Sequence, residues 1–256
     1  MSSQEAGEQS GGTVSSVVVR QEGELWWVGL NRPDRRNAHD EALVAEFDAV
    51  LTRASRTPSI LLIHSTTPGI FAAGADIREM RERGSDHALR AINARLFERL
   101  EAHRWPTIAL VDGPALGGGC EMALACDFRI ASPRAVFAQP ELSLGILAGA
   151  GGNWRLAQLV GLGTARRMLL AGVRLDATEA RAAGLVDEIA DDLLARGESF
   201  ARTIAKRSWR ALELTKLALR AHRPDTVKFD TVAQALLFDS ADKYERMTAF
   251  VERNQR

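Results

Sequence analysis

Along this 256-residue chain the order strand, small-residue loop, helix recurs, with the loops centred near Ala75, Gly118 and Gly149. A helix that leaves a strand through a short loop packs back onto the sheet, so the recurrence confines the chain to an α/β architecture. VSSVVVR (Val14 to Arg20) and ELWWVGL (Glu24 to Leu30) predict two strands joined across a turn at Gly23. Leu43, Val44, Phe47, Val50 and Leu51 recur at helical spacing and predict a helix from Asp40 to about Ala54. SILLIHS and TIALVDG are short apolar runs of buried-strand length, and Leu89, Ile92, Leu96, Phe97 and Leu100 mark a second amphipathic helix between them. FRIAS and AVFAQP read as further strands, and LAGAGGN opens a helix near Trp154. The loops are unequally spaced, so the pattern is an irregular repeat of ββα units. From about Asp191 strand signals vanish and the remainder reads as helical. This divides the chain into a core over 13–190 and a helical region over 191–256. Met1 to Gly12 has almost nothing to bury and reads as a disordered tail.

The loop ALGGGCEMAL, Ala115 to Leu124, carries three glycines at a helix start and a glutamate in apolar company. Taken alone, these residues also suit a tight turn feeding a helix with Glu121 on its solvated side. A helix start presents unpaired N–H groups and a partial positive charge, and glycine lets a ligand oxygen approach them. Phosphate is the usual guest, but the motifs for it fail. GAGGNW places Trp154 where a dinucleotide fingerprint needs its last glycine, and GGGCEM has no lysine followed by Ser or Thr. A carbonyl oxygen that becomes negative during reaction is the better guest, held by two convergent N–H donors. FAAGAD and ALGGGCE each suit the supply of one donor. Glu121 lies one helical turn beyond Gly118, so its carboxylate can share that face and perform acid–base chemistry beside a polarised carbonyl.

Other classes are disfavoured. Lys plus Arg equals Asp plus Glu at 33 each, which argues against a general nucleic-acid or membrane-surface binder. The N-terminus has no secretory pattern, no apolar run reaches membrane-spanning length, and Cys120 and Cys126 suggest neither a disulfide framework nor a zinc site. A cytoplasmic setting fits. There is no G-x-S-x-G elbow for a nucleophilic hydrolase. His39, His87, His103 and His222 stand in polar stretches and read as solvated, while His64 ends an apolar strand and reads as structural.

NRPDRRNA, FAAGADIREM, VDGPALGGGCEMALACD, FAQPELSLGI, GAGGNWRL and ARAAGLVDEI, in that order, resemble the enoyl-CoA hydratase/isomerase, or crotonase, family. The similarity runs from about Val14 to Asp187, and MTAFVERN resembles that family's last helix. The resemblance implies an α/β spiral of repeated ββα units, a C-terminal helical region that packs homotrimers or hexamers, and an acyl-CoA thioester as substrate. It places the oxyanion donors on the N–H groups of Ala75 and Gly118, and two catalytic glutamates on Glu121 and Glu141. The implied reaction is syn addition of water to a trans-2-enoyl-CoA, with no metal or redox cofactor, coenzyme A being part of the substrate. Ala38, Ala73, Asp76 and Ile77 fall where the family lines the adenine and pantetheine path. Arg78 falls where a lysine often meets coenzyme A phosphates, Arg253 near a C-terminal basic position, and Gly149 where an N–H helps fix the water. The chain departs from the family's usual residues at His39 (leucine), Ala148 (proline) and Asn153-Trp154 (Thr-Gln). A Δ3-Δ2 enoyl-CoA isomerase or another acyl-CoA enolate reaction is the alternative within the family, and a non-catalytic acyl-CoA-binding protein is the alternative outside catalysis. Leu236, Leu237, Phe238, Met247 and Phe250 are the expected subunit-packing residues.

Overall fold

The computed structural model describes residues 15–220 and 241–253, together with Ala235, Phe238 and Asp239. The expected tail, Leu236, Leu237 and His222 therefore lie outside the described residues. Strand β1 (Val17–Glu22) turns at Gly23 into the antiparallel β2 (Leu25–Leu30). Helix α1 (Glu41–Ala54) follows, started by the Asp40 carboxylate, which accepts the Leu43 N–H at 2.8 Å. Strands β3 (Ile60–Ser65) and β4 (Thr107–Val111) then join β2 in parallel. Their residues are buried along nearly the whole run, as a parallel sheet covered on both faces requires.

Alternation along these strands builds two cores. Trp26, Val28, Leu61, Ile63, Ala109 and Val111 face one side of the sheet, and Trp27, Ile60, Leu62, Ile108 and Leu110 face the other. The first side is covered by α1 and by α4 (Ile92–Glu101), which follows the short α2 (Ile77–Glu82) and α3 (Ser85–Arg90). The helix expected to begin at Leu89 is thus divided. Ala91 adopts a left-handed conformation at φ 47°, and Leu89 is exposed on the far side of that break.

The ββα repeat is visible in the pairing. β4 belongs to the large sheet, β5 (Pro114–Leu116) to a second, three-stranded sheet, and α5 (Gly118–Leu124) closes the unit. The next unit repeats this with β6 (Phe128–Ala131), β7 (Val136–Ala138) and α6 (Gly152–Leu169). One turn earlier, Ala72 bridges to Ala115 in the place a strand of the small sheet would occupy. Each turn therefore advances both sheets by one strand and delivers one loop and one helix start to the same side. β8 (Leu175–Asp176) and β9 (Glu188–Ile189) end the two sheets, with α7 (Ala177–Ala182) between them.

Helix α8 (Leu193–Ala205) covers the second face of the large sheet through Leu193 and Ala201. After α9 (Trp209–Arg220) the last helix, Ala241–Arg253, lies against α2 and the short turn Glu141–Leu144. Here the expected subunit-packing role is corrected for two residues. Phe238 and Met247 are buried with Met80, Ala88, Leu144 and Ile146 of their own chain, and Phe250 packs against that cluster. Lys243, itself buried, donates to the carbonyls of Met80, Arg81 and Arg83 and so secures the C-terminal end of α2. Among the described residues no helix is long and apolar enough to cross a membrane.

Candidate active site

Two of the delivered loops meet at Ala75 and Gly118. His39 pairs with the first loop as in a parallel ladder, its N–H donating to Gly74 O and its carbonyl accepting from Asp76 N. That pattern uses the groups on either side of Ala75 and turns the Ala75 N–H the other way. Gly118 is the first residue of α5, so its N–H has no acceptor within its own helix. The two residues are neighbours, since a Cβ on Gly118 would stand 3.5 Å from Ala75 N, and both line one cleft. Gly117 makes this possible. Its φ of 51° is a left-handed conformation, and a Cβ there would lie 2.8 Å from Glu141 Oε1.

Glu121 and Glu141 line the same cleft, and their surroundings differ. Glu121 is 4% exposed rather than solvated, and its Oε1 accepts the N–H groups of Ala150 at 2.8 Å and Gly152 at 2.9 Å. Two backbone donors on one oxygen favour the charged carboxylate. Glu141 sits in the turn after Pro140, where burial first and the Glu121 charge second push its carboxyl well above the usual range. The two carboxylates thus stand in different surroundings, one beside two backbone donors and the other where burial and a neighbouring charge raise it. The Gln139 amide, 2% exposed, reaches both Glu141 oxygens at 3.0 and 3.1 Å with its nitrogen turned toward them.

Ala73, Ile77 and Gly149 also line the cleft. The loop donors on Glu121 are Ala150 and Gly152, one and three residues past Gly149. The remaining expected contacts lie outside that lining. Ala38 is buried with its carbonyl bonded to the Arg32 guanidinium. The Asp76 carboxylate caps α2 by accepting the Arg78 and Glu79 N–H groups, Arg78 is exposed on the first turn of that helix, and Arg253 is exposed at the end of the last one. The Asn153 side chain donates to Ala148 O at 3.0 Å instead of capping α6, whose N-cap is Gly151. Trp154 lies over the Arg155 guanidinium at 4.3 Å and stays outside the cleft lining. Gln139, Ala150 and Gly152 are the site residues that the sequence reading missed. A polar side chain two residues before Glu141 was the one available signal.

His39 and His103 correct the reading of solvated histidines. His39 is 1% exposed, packs edge-on against Phe97, and neither ring nitrogen has a hydrogen-bond partner. Burial, with a smaller contribution from the Arg32 charge, lowers its pKa from 6.5 to about 4. His103 is buried beside the Ser59 hydroxyl, and burial followed by the Lys216 charge lowers its pKa to about 3. Below pH 6.5 the unfolded chain takes up protons that the folded chain refuses, so stability falls with pH toward about 4 for His39 and about 3 for His103. Each group contributes a slope of up to roughly 1.4 kcal/mol per pH unit. Urea midpoints measured from pH 7 to pH 5 are expected to fall, and His39→Leu is expected to reduce that slope. An unchanged slope in the variant would show that His39 is protonated in the folded protein.

A cleft that brings the helix start at Gly118 beside Ala75 and sets two carboxylates in its wall has the parts of an enzyme that stabilises an oxyanion while moving protons. Residues 20–256 match the enoyl-CoA hydratase/isomerase family, and the chain belongs to that family. It is 35% identical over 252 residues to the short-chain-enoyl-CoA hydratase of Clostridium acetobutylicum, covering 94% of this chain and 97% of that one. It is also 35% identical over 250 residues to the crotonyl-CoA hydratase of Syntrophomonas wolfei, covering 94% and 96%. The crystal structure of an enoyl-CoA hydratase/isomerase from Mycobacterium paratuberculosis superimposes with a TM-score of 0.85 at 27% identity, over 92% of this chain and 98% of that one. The fold is the crotonase-like spiral that the motifs implied.

Proposed function

We propose that this enzyme is an enoyl-CoA hydratase in which Glu121 and Glu141 divide the proton work. The observation that carries the assignment of roles is the contrast between the two carboxylates, one held by two backbone N–H groups and the other raised by burial and its neighbour's charge. The N–H groups of Ala75 and Gly118 hold the thioester oxygen of a trans-2-enoyl-CoA. Glu121 removes a proton from water as its oxygen bonds to C3, and the electron pair of the double bond moves toward the thioester, leaving negative charge on the held oxygen. Glu141 then gives its proton to C2, so that one water has been added across the double bond. The Gln139 amide can donate to the Glu141 carboxylate once that proton has gone. This chemistry calls on no metal or redox cofactor, and coenzyme A enters as part of the substrate. Purified protein supplied with crotonyl-CoA should form the 3-hydroxy product, and a 3-enoyl-CoA should be converted far more slowly. The opposite preference would move the assignment to double-bond isomerisation.

We further infer a cytoplasmic setting, supported by the two buried free thiols of Cys120 and Cys126, and assembly in threes. Leu236 and Leu237 lie outside the described residues, and further side chains favour assembly. Leu162, Leu170, Leu217 and Leu219 are each more than half exposed on or beside α6 and α9, which is apolar surface suited to a subunit contact. Sedimentation at micromolar concentration should give three chains or a multiple of three, and a lone monomer species would exclude this assembly.

A further inference from the structure

The bonds that hold Glu121 depend on a second layer of residues. Arg155, 2% exposed on the first turn of α6, donates through Nη1 to Ala150 O at 2.8 Å. The same guanidinium donates through Nη2 and Nε to Glu101 Oε2 of α4, at 2.9 and 3.3 Å. The loop is shaped around it. Gly151 has a φ of 106°, and a Cβ there would fall 2.0 Å from Nη1. The Trp154 ring closes over the guanidinium at 4.3 Å. The peptide unit lying between the two whose N–H groups hold Glu121 is thus anchored from behind by one planar cation.

We propose that Arg155, oriented by Glu101, is a positioning residue for hydration, acting through Ala150 and Gly152 on the catalytic carboxylate of Glu121. A buried ion pair is a weak source of stability, because the desolvation of both charges offsets their attraction. A guanidinium supplies several donors fixed in one plane, so it can bond a carboxylate and a carbonyl at once and lock the angle between α4 and the loop. Neither an apolar pair nor a lysine reproduces that. The arrangement also explains why Trp154 is accommodated without entering the cleft, since its ring lies on the anchor. The inference rests on Glu121 being the base of the hydration reading.

The test compares the wild type with Arg155→Lys and with the double variant Glu101→Leu/Arg155→Met, which removes both charges together. Each is first checked for fold by circular dichroism and sedimentation. With crotonyl-CoA, kcat of the double variant is expected to fall by about 10- to 100-fold, the scale of a small misplacement of a reacting group. KM should stay within about threefold, because the donors for the thioester oxygen are not touched. Arg155→Lys should fall between the two. In the ligand-free protein, the Ala150 and Gly152 amides should exchange hydrogen markedly faster in both variants while those of β4 do not change. A folded double variant with wild-type kcat, a loss confined to KM, or unchanged protection of the two amides would each overturn the proposal. If the double variant does not fold, Arg155→Lys decides by the same readings. A wild type that leaves crotonyl-CoA unchanged, with amide protection still lost in the variants, would remove the hydratase reading and keep the anchor.

Discussion

Glu121→Gln and Glu141→Gln should each slow hydration of crotonyl-CoA by about 100- to 10,000-fold, the range for a positioned acid or base. Substrate affinity should survive, because amide and carboxylate are nearly the same shape and the thioester donors belong to the backbone. The two variants fail for different reasons. A glutamine at 121 can still accept the Ala150 and Gly152 N–H groups through its oxygen, so the loop keeps its place while the base is lost. It also removes the charge that helps raise the Glu141 carboxyl, so the proton carrier becomes more acidic as well. A glutamine at 141 leaves the base intact and removes only the proton delivered to C2. Single-turnover rates with crotonyl-CoA measure both. Wild-type hydration by either variant would sink the two-carboxylate mechanism, and a harmless Glu141→Gln beside a dead Glu121→Gln would favour chemistry with one carboxylate.

Gly118→Pro should lose at least about 100-fold in rate, the precedent for removing one oxyanion donor, or roughly 2.7 kcal/mol of barrier. Proline is tolerated at the first position of a helix, where the missing N–H has no partner in the helix anyway. The added Cβ meets only the His39 ring closely, at 3.3 Å from Nδ1, and a side chain can shift by the few tenths of an ångström required. Gly118→Ala is the control, since it brings the same Cβ and keeps the N–H. Gly117→Ala would be a poor control. It forces alanine into a left-handed conformation and sets a methyl group 2.8 Å from Glu141 Oε1. The informative quantity is the ratio of the two Gly118 variants. Equal rates from a folded proline variant and the alanine variant would show that this N–H does not hold the thioester oxygen.

Much of this site was legible in the chain. The helix starting after Asp40, the buried strands, and the small-residue loops at Ala75 and Gly118 all follow from periodicity and backbone chemistry that act over a few residues. So does the placement of Glu121 one helical turn beyond an N–H donor, because helical geometry sets that spacing. Glu141 needed the family's pattern, since a carboxylate after Pro140 has a ready solvated explanation. Its raised pKa depends on burial and on a charge twenty residues away.

The sequence by itself determined the local pieces: an α/β repeat, two loops able to present N–H groups, and a glutamate on the matching helix face. The tertiary structure decided which pieces meet. Glu121 takes its donors from residues 29 and 31 positions away, and Arg155 takes its carboxylate from one 54 positions away. His39 looks solvated beside Asp40, yet it is buried because the Gly74 loop and Phe97 close over it. Phe238 and Met247 look like a subunit contact, yet they are buried against Met80 and Leu144 of their own chain, where the last helix lies on α2, and Phe238 lines the cleft. The reason is common to all four cases. Local propensity acts within a turn or two of the chain, whereas burial, and with it charge state and hydrogen-bond partner, is settled only when distant segments pack together.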